Sequence, residues 1–106
     1  MAVDQQRIAD ACELALLMSQ NMLVPWYLIL SYAYYHLNES LVSDEVYDSV
    51  CKLLLDEMDQ FNVEHEHMHL IDTAALRAGT AFHLKREQYP LRVVRVAEGM
   101  VSGIYP

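Results

Sequence analysis

The chain has 106 residues, of which 54 % are hydrophobic, and it contains only 3 Gly and 3 Pro. This composition excludes an intrinsically disordered chain and favours long regular elements, and the length is that of a single domain spanning residues 1–106. The formal charge of −8 argues against general binding to nucleic acids, because an acidic chain is repelled by phosphate.

Two helices are predicted in the first third of the chain. The first begins after Asp4, whose carboxylate can cap it, and runs to about Met18–Asn21. Pro25 suits the first turn of the second helix, which continues to about Leu37 and is broken at Asn38. The stretch from Leu14 to Asn38 holds no Asp, Glu, Lys or Arg, but a polar Ser-Gln-Asn tripeptide divides it. We therefore predict two helices here and no membrane span.

A third helix follows after a short connection. Ser43 is its predicted cap, and Asp44 and Glu45 fall in its first turn, where the helix dipole favours negative charge. Apolar residues continue at helical spacing to Phe61, with charged residues on the opposite side. The second and third helices are predicted to form an antiparallel hairpin over residues 30–61.

The last part of the chain is predicted to hold two more helices. Asp72 can cap a short helix that stops at Gly79. For residues 80–100 the sequence does not decide between helix and strand, because this part contains a valine-rich run that is typical of strands. Charged residues that recur every three positions, together with Pro90, favour a helix that ends near Ser102. The predicted fold is all-α: a small helical domain with a central hairpin and flanking N- and C-terminal helices.

Charge is divided unevenly along this sequence. Residues 1–72 carry 13 acidic and 2 basic side chains, whereas residues 73–106 carry 2 acidic and 5 basic ones. We interpret the basic C-terminal segment, residues 73–106, as packing beside an acidic body. A polyanion-binding patch is the less favoured interpretation, because no aromatic residues are interleaved with the five bases.

Chemistry at cysteine or at a phosphate loop is not indicated. Cys12 and Cys51 lie in apolar helical patterns without a CxxC motif, which predicts a reducing, cytoplasmic location. The first residues do not resemble a secretory signal. Neither a Gly-x-Ser-x-Gly motif nor a glycine-rich phosphate loop is present in the sequence. We therefore assign no catalytic residue.

Five aromatic and polar residues flank the turn of the predicted hairpin. Tyr35 and His36 end the second helix, while Asp44, Tyr47 and Asp48 begin the third at a spacing that places them on one face. A tight hairpin would bring both sets together around a small pocket. Aromatic faces attract cations and carboxylates supply the counter-charge, so such a pocket suits a flat cationic ring.

These residues carry a family resemblance. Tyr-His, a short loop, Ser-Asp-x-x-Tyr-Asp and an amphipathic helix resemble domain Ia, the N-terminal adenylation subdomain of bacterial NAD-dependent DNA ligases. The resemblance implies a helical hairpin that binds the nicotinamide mononucleotide half of NAD. It also implies that Tyr35 and Tyr47 contact the nicotinamide ring, and that His36, Asp44 and Asp48 hold the ring, the ribose or the phosphate.

The resemblance is confined to residues 30–61, and the loop is one residue shorter than in the ligases and lacks their usual proline. The chain has no Lys-x-Asp-Gly motif, which carries the adenylated lysine of that family, because neither Lys52 nor Lys85 has this context. The resemblance therefore implies a non-catalytic binder of nicotinamide mononucleotide or NAD, and not a ligase. The alternative is a ligand-free interaction or accessory module, either a homodimer or a partner of a larger chain.

A second alternative is metal binding by a histidine strip. His65, His67 and His69 occupy alternate positions, so on a strand they would share one face and could chelate a transition metal. On a helix only His65 and His69 share a face. A polar surface segment at a helix end is the interpretation that we favour.

Overall fold

The computed structural model describes residues 4–18, 22–60 and 68–102, and these ranges are helical without any strand. The five α-helices are α1 (Gln5–Met18), α2 (Leu23–His36), α3 (Asp44–Gln60), α4 (Thr73–Ala78) and α5 (Leu91–Val101). Short 3-10 turns lie at Met68–Leu70 and Arg86–Gln88. The predicted all-α fold is confirmed, and the part left open between helix and strand contains α5.

The predicted helix caps are confirmed by hydrogen bonds from backbone N–H groups to the capping side chains. Asp4, Ser43 and Asp72 each accept a hydrogen bond from an N–H group in the first turn of α1, α3 and α4, at 3.0, 3.3 and 2.8 Å. Gly79 ends α4 in the left-handed conformation, with φ at 69°. α2 begins two residues before Pro25, so the proline lies in the first turn, as predicted.

α2 is the central element of the fold. Ten of its fourteen residues are buried, because it packs against both α3 and α5. This burial explains why the segment is almost continuously apolar and uncharged. Within the ranges that the structure describes, no helix combines the length and the apolar character needed to cross a membrane.

The connection between α2 and α3 reverses the chain over few residues. Asn38 has a φ of 61°, a left-handed conformation that asparagine tolerates better than most residues. Leu41 and Val42 are buried and fix the end of the connection to the core. The reversal brings the end of α2 next to the first turns of α3.

The described part of the basic C-terminal segment packs on the hairpin at two places, with α4 against α3 and α5 against α2. Val93, Ala97 and Met100 form the buried side of α5. Before α5, the Nε of Arg86 donates a hydrogen bond to the hydroxyl of Tyr32 at 3.2 Å. Arg86 therefore lies beside an aromatic residue of α2.

Candidate functional site

A pocket of about 300 Å³ lies at the turn of the α2–α3 hairpin. Its walls come from the end of α2, the α2–α3 connection, the first turns of α3 and the residues after α4. Four of the five residues predicted for the site line it, namely Tyr35, Asp44, Tyr47 and Asp48. The other lining residues are Leu30, Tyr34, Ser40, Leu41, Val42, Gly79 and Thr80.

His36, the fifth predicted residue, does not line this pocket. Its ring packs against the rings of Tyr32 and Tyr89, with centroids 5.4 and 5.3 Å away. Its Nε2 atom is buried and has no hydrogen-bond partner among the described residues. Neighbouring residues on a helix point about 100° apart, so Tyr35 can face the pocket while His36 faces the segment before α5.

The side chain of Tyr47 is held in place by the interior. Its hydroxyl lies 2.7 Å from the Oγ of Ser31. Its ring is stacked on that of Tyr27, with centroids 6.1 Å apart and planes inclined by 30°. Burial raises the pKa of Tyr47 far above its ordinary value, so the phenol stays neutral at physiological pH. Tyr47 therefore presents a fixed, uncharged aromatic surface to the pocket.

The wall opposite the hairpin comes from the residues that follow α4. The hydroxyl of Tyr27 donates a hydrogen bond of 2.7 Å to the carbonyl oxygen of Thr80. At Gly79, a Cβ atom would lie only 2.9 Å from the Oδ1 of Asp48. The positive φ of Gly79 favours glycine at this position, and the close approach shows that the carboxylate of Asp48 lies against the backbone here. Sequence reasoning identified Gly79 only as a helix stop, because no local signal reports a contact with a distant helix.

The mouth of the pocket is aromatic and acidic. Tyr34 and Tyr35 are 51 % and 39 % exposed, and their rings meet edge to face at 5.0 Å. Asp44 and Asp48 are also exposed. No lysine or arginine is found among the described residues that line this pocket. The arrangement favours a cationic group and disfavours an anion.

Neither cysteine is suited to nucleophilic chemistry. Cys12 and Cys51 are free and buried. Burial raises the pKa of each thiol to about 11, and the nearby carboxylates of Glu13 and Asp48, respectively, add to the shift. Both groups are therefore protonated thiols at neutral pH, whereas the nucleophile is the thiolate.

Two of the three histidines predicted as metal ligands lie outside the described residues. His65 and His67 lie there, and His69 is exposed in the turn at Met68–Leu70. Elsewhere, in the ranges that the structure covers, no three His, Cys, Asp or Glu side chains are grouped to hold a metal ion. Metal binding by the histidine strip stays a prediction.

Comparison with known proteins gave no match to a protein-family model, to a curated protein or to a solved structure. The resemblance to ligase domain Ia therefore rests on the sequence motif alone. Function has to be argued from the chemistry of the pocket.

Proposed function

We propose that this protein is a non-catalytic binder of the nicotinamide half of NAD, taken as nicotinamide mononucleotide or as NAD itself. One observation carries the proposal: the hairpin turn surrounds one pocket with three tyrosines and two carboxylates. The nicotinamide ring of these ligands is flat and carries a positive charge. Tyrosine rings attract such a cation, and carboxylates neutralise it.

Each pocket residue has a role that follows from its position. Tyr47, which is fixed from behind, offers a rigid surface for the ring, and Tyr35 at the mouth can pack on its other side. Asp44 and Asp48 supply negative charge and can accept hydrogen bonds from the carboxamide or the ribose hydroxyls. A volume of about 300 Å³ is at the lower end of the range for small-molecule sites.

Binding without turnover is the activity that the residues support. The sequence lacks the Lys-x-Asp-Gly motif, and no cysteine or lysine lines the described pocket. A nucleotidyl transfer needs a nucleophile next to the reacting phosphate. The protein would therefore hold, sense or deliver its ligand and leave it unchanged.

Isothermal titration calorimetry with nicotinamide mononucleotide and with NAD tests the proposal. The double variant Asp44→Asn/Asp48→Asn removes both pocket charges, and we expect it to bind about tenfold more weakly or worse. The matched control is Glu45→Gln/Asp56→Asn, which removes the same charge from exposed positions of α3 that do not line the pocket. No heat at millimolar ligand, or equal losses in both double variants, would refute the proposal.

A second candidate function is supported by an apolar surface on α1 and α3. Leu14, Leu17 and Leu53 are 60 %, 80 % and 47 % exposed, and a groove of about 540 Å³ runs between these two helices. Such a surface is typical of an interaction module, here a homodimer. Sedimentation equilibrium tests it: a dimer that Leu17→Glu converts to a monomer supports this candidate, and a monomeric wild-type protein rules it out.

A further inference from the structure

A second cavity, of about 350 Å³, adjoins the hairpin pocket. It lies between α3 and the end of α4. Its lining residues are Asp48, Cys51, Lys52, Leu55, Leu76, Arg77, Ala78 and Gly79. Asp48 and Gly79 line both cavities. The two cavities therefore meet where Gly79 lies against the carboxylate of Asp48.

The two cavities differ in the sign of their charge. The hairpin pocket contains the carboxylates of Asp44 and Asp48 and no basic side chain in its described lining. The second cavity shares Asp48 but adds Lys52 and Arg77, which gives it a positive balance. Both basic side chains are exposed, so their charged ends can reach a ligand from solvent.

A phosphate group does not fit the hairpin pocket. There it would lie near two carboxylates without a counter-charge, and like charges at short range cost binding energy. Nicotinamide mononucleotide nevertheless carries a phosphate, separated from its cationic ring by one ribose. A binder of this ligand needs a separate place for the anionic end.

We propose that the second cavity is the phosphate subsite of the nicotinamide site, with Lys52 and Arg77 as the groups that bind the phosphate. This inference rests on the proposed function. The ligand then lies with its ring in the hairpin pocket, its ribose at the junction near Gly79 and its phosphate between α3 and α4. The planar guanidinium of Arg77 can bind two phosphate oxygens, and the ammonium of Lys52 adds a point charge.

At the junction of the two cavities, the carboxylate of Asp48 reaches the backbone at Gly79. At Gly79 the chain carries no side chain, and a Cβ there would already lie 2.9 Å from the Oδ1 of Asp48. The two cavities are therefore separated by this contact, and the ribose crosses it on the outer side, over the exposed side chain of Asp48. Lys52 follows Asp48 by one helical turn on α3, so the negative and the positive group lie in sequence along the same side of the helix.

Calorimetry with two ligands, nicotinamide mononucleotide and nicotinamide riboside, tests the subsite, because these ligands differ only by the phosphate. For the wild-type protein we expect the mononucleotide to bind about tenfold more tightly, as two partly solvated ion pairs allow. In the variant Lys52→Met/Arg77→Met this ratio should fall close to one, with the riboside affinity unchanged. The matched control is Arg92→Met/Arg95→Met, which removes two exposed charges of α5 that line neither cavity.

Each outcome separates the subsite from the proposed function. Equal binding of both ligands by the wild-type protein overturns the phosphate subsite and leaves the nicotinamide pocket standing. An equal loss of phosphate preference in the control variant also overturns the subsite, because the preference would then come from overall charge. If neither ligand binds, the proposed function fails, and the subsite fails with it.

Discussion

The hairpin pocket has two parts that differ in how they are held. The inner layer consists of Tyr27, Ser31 and Tyr47. The outer rim consists of Tyr34, Tyr35, Asp44 and Asp48. The inner layer is joined by hydrogen bonds and stacked rings, whereas the rim is exposed. Rim variants should therefore change ligand binding with little effect on stability, whereas inner-layer variants should lower stability, and those at Tyr47 should also weaken binding because its ring lines the pocket.

The largest expected effect belongs to the inner layer. Tyr27 is completely buried, packs on Tyr47 and donates a hydrogen bond to Thr80. Tyr27→Ala should lower the free energy of unfolding by about 3–5 kcal/mol, because a cavity forms and a carbonyl loses its partner. Urea unfolding measures this, with Tyr34→Ala as the exposed control. A loss as small as that of the control would contradict the division into layer and rim.

The junction at Gly79 should come next. Gly79→Ala places a Cβ in a left-handed backbone conformation, so we expect the free energy of unfolding to fall by about 1–2 kcal/mol. Gly99→Ala is the control, because Gly99 lies within α5 and the only positive φ at a glycine in the described ranges is that of Gly79. A harmless Gly79→Ala substitution would contradict the left-handed backbone conformation at the end of α4.

Alkaline pH should destabilise the folded protein through its buried thiols and phenols. Burial raises the pKa of Cys12 and Cys51 from 9.0 to about 11, and that of Tyr27 and Tyr47 above its ordinary value. Their stabilisation is complete below pH 9 and decreases as the pH rises toward 11, because the unfolded chain loses these protons first. The free energy of unfolding, measured in urea, should therefore be clearly lower at pH 10 than at pH 8. A constant stability between these pH values would contradict the burial of these groups.

The smallest effect on stability should come from the rim. Tyr35→Ala and Asp48→Asn change exposed side chains, and we expect each to alter the free energy of unfolding by less than about 0.5 kcal/mol. Both should nevertheless weaken the binding of nicotinamide mononucleotide in calorimetry. A rim variant that unfolds the protein would erase the contrast with the inner layer.

The features that sequence could predict are those with local signals. A capping side chain, a proline in a first turn and a glycine after the last turn each act within about four residues, so Ser43, Asp72 and Gly79 marked helix ends correctly. The same local signals mark the end of α2 and the start of α3, and the short connection between them predicts the hairpin. The convergence of Tyr35 with Asp44, Tyr47 and Asp48 followed from helical spacing together with a short connection.

The features that sequence could not predict depend on contacts between distant residues. The bond from Tyr27 to Thr80 joins positions 53 residues apart, and no local pattern marks it. The orientation of His36 could not be predicted from the sequence either, because it depends on how Tyr89 and the segment before α5 pack against α2. Lys52 and Arg77 lie on different helices, and only the packing of α3 on α4 brings them to one cavity.

The most direct test is to locate the ligand on the protein by NMR. Nicotinamide mononucleotide is titrated into the ¹⁵N-labelled chain, and the amide signals that shift are assigned. We predict that the shifts concentrate at Val42, Asp44, Asp48 and Gly79, around the hairpin pocket and its junction. No shifts at millimolar ligand, or shifts centred on the groove between α1 and α3, would contradict a nicotinamide site at the hairpin turn.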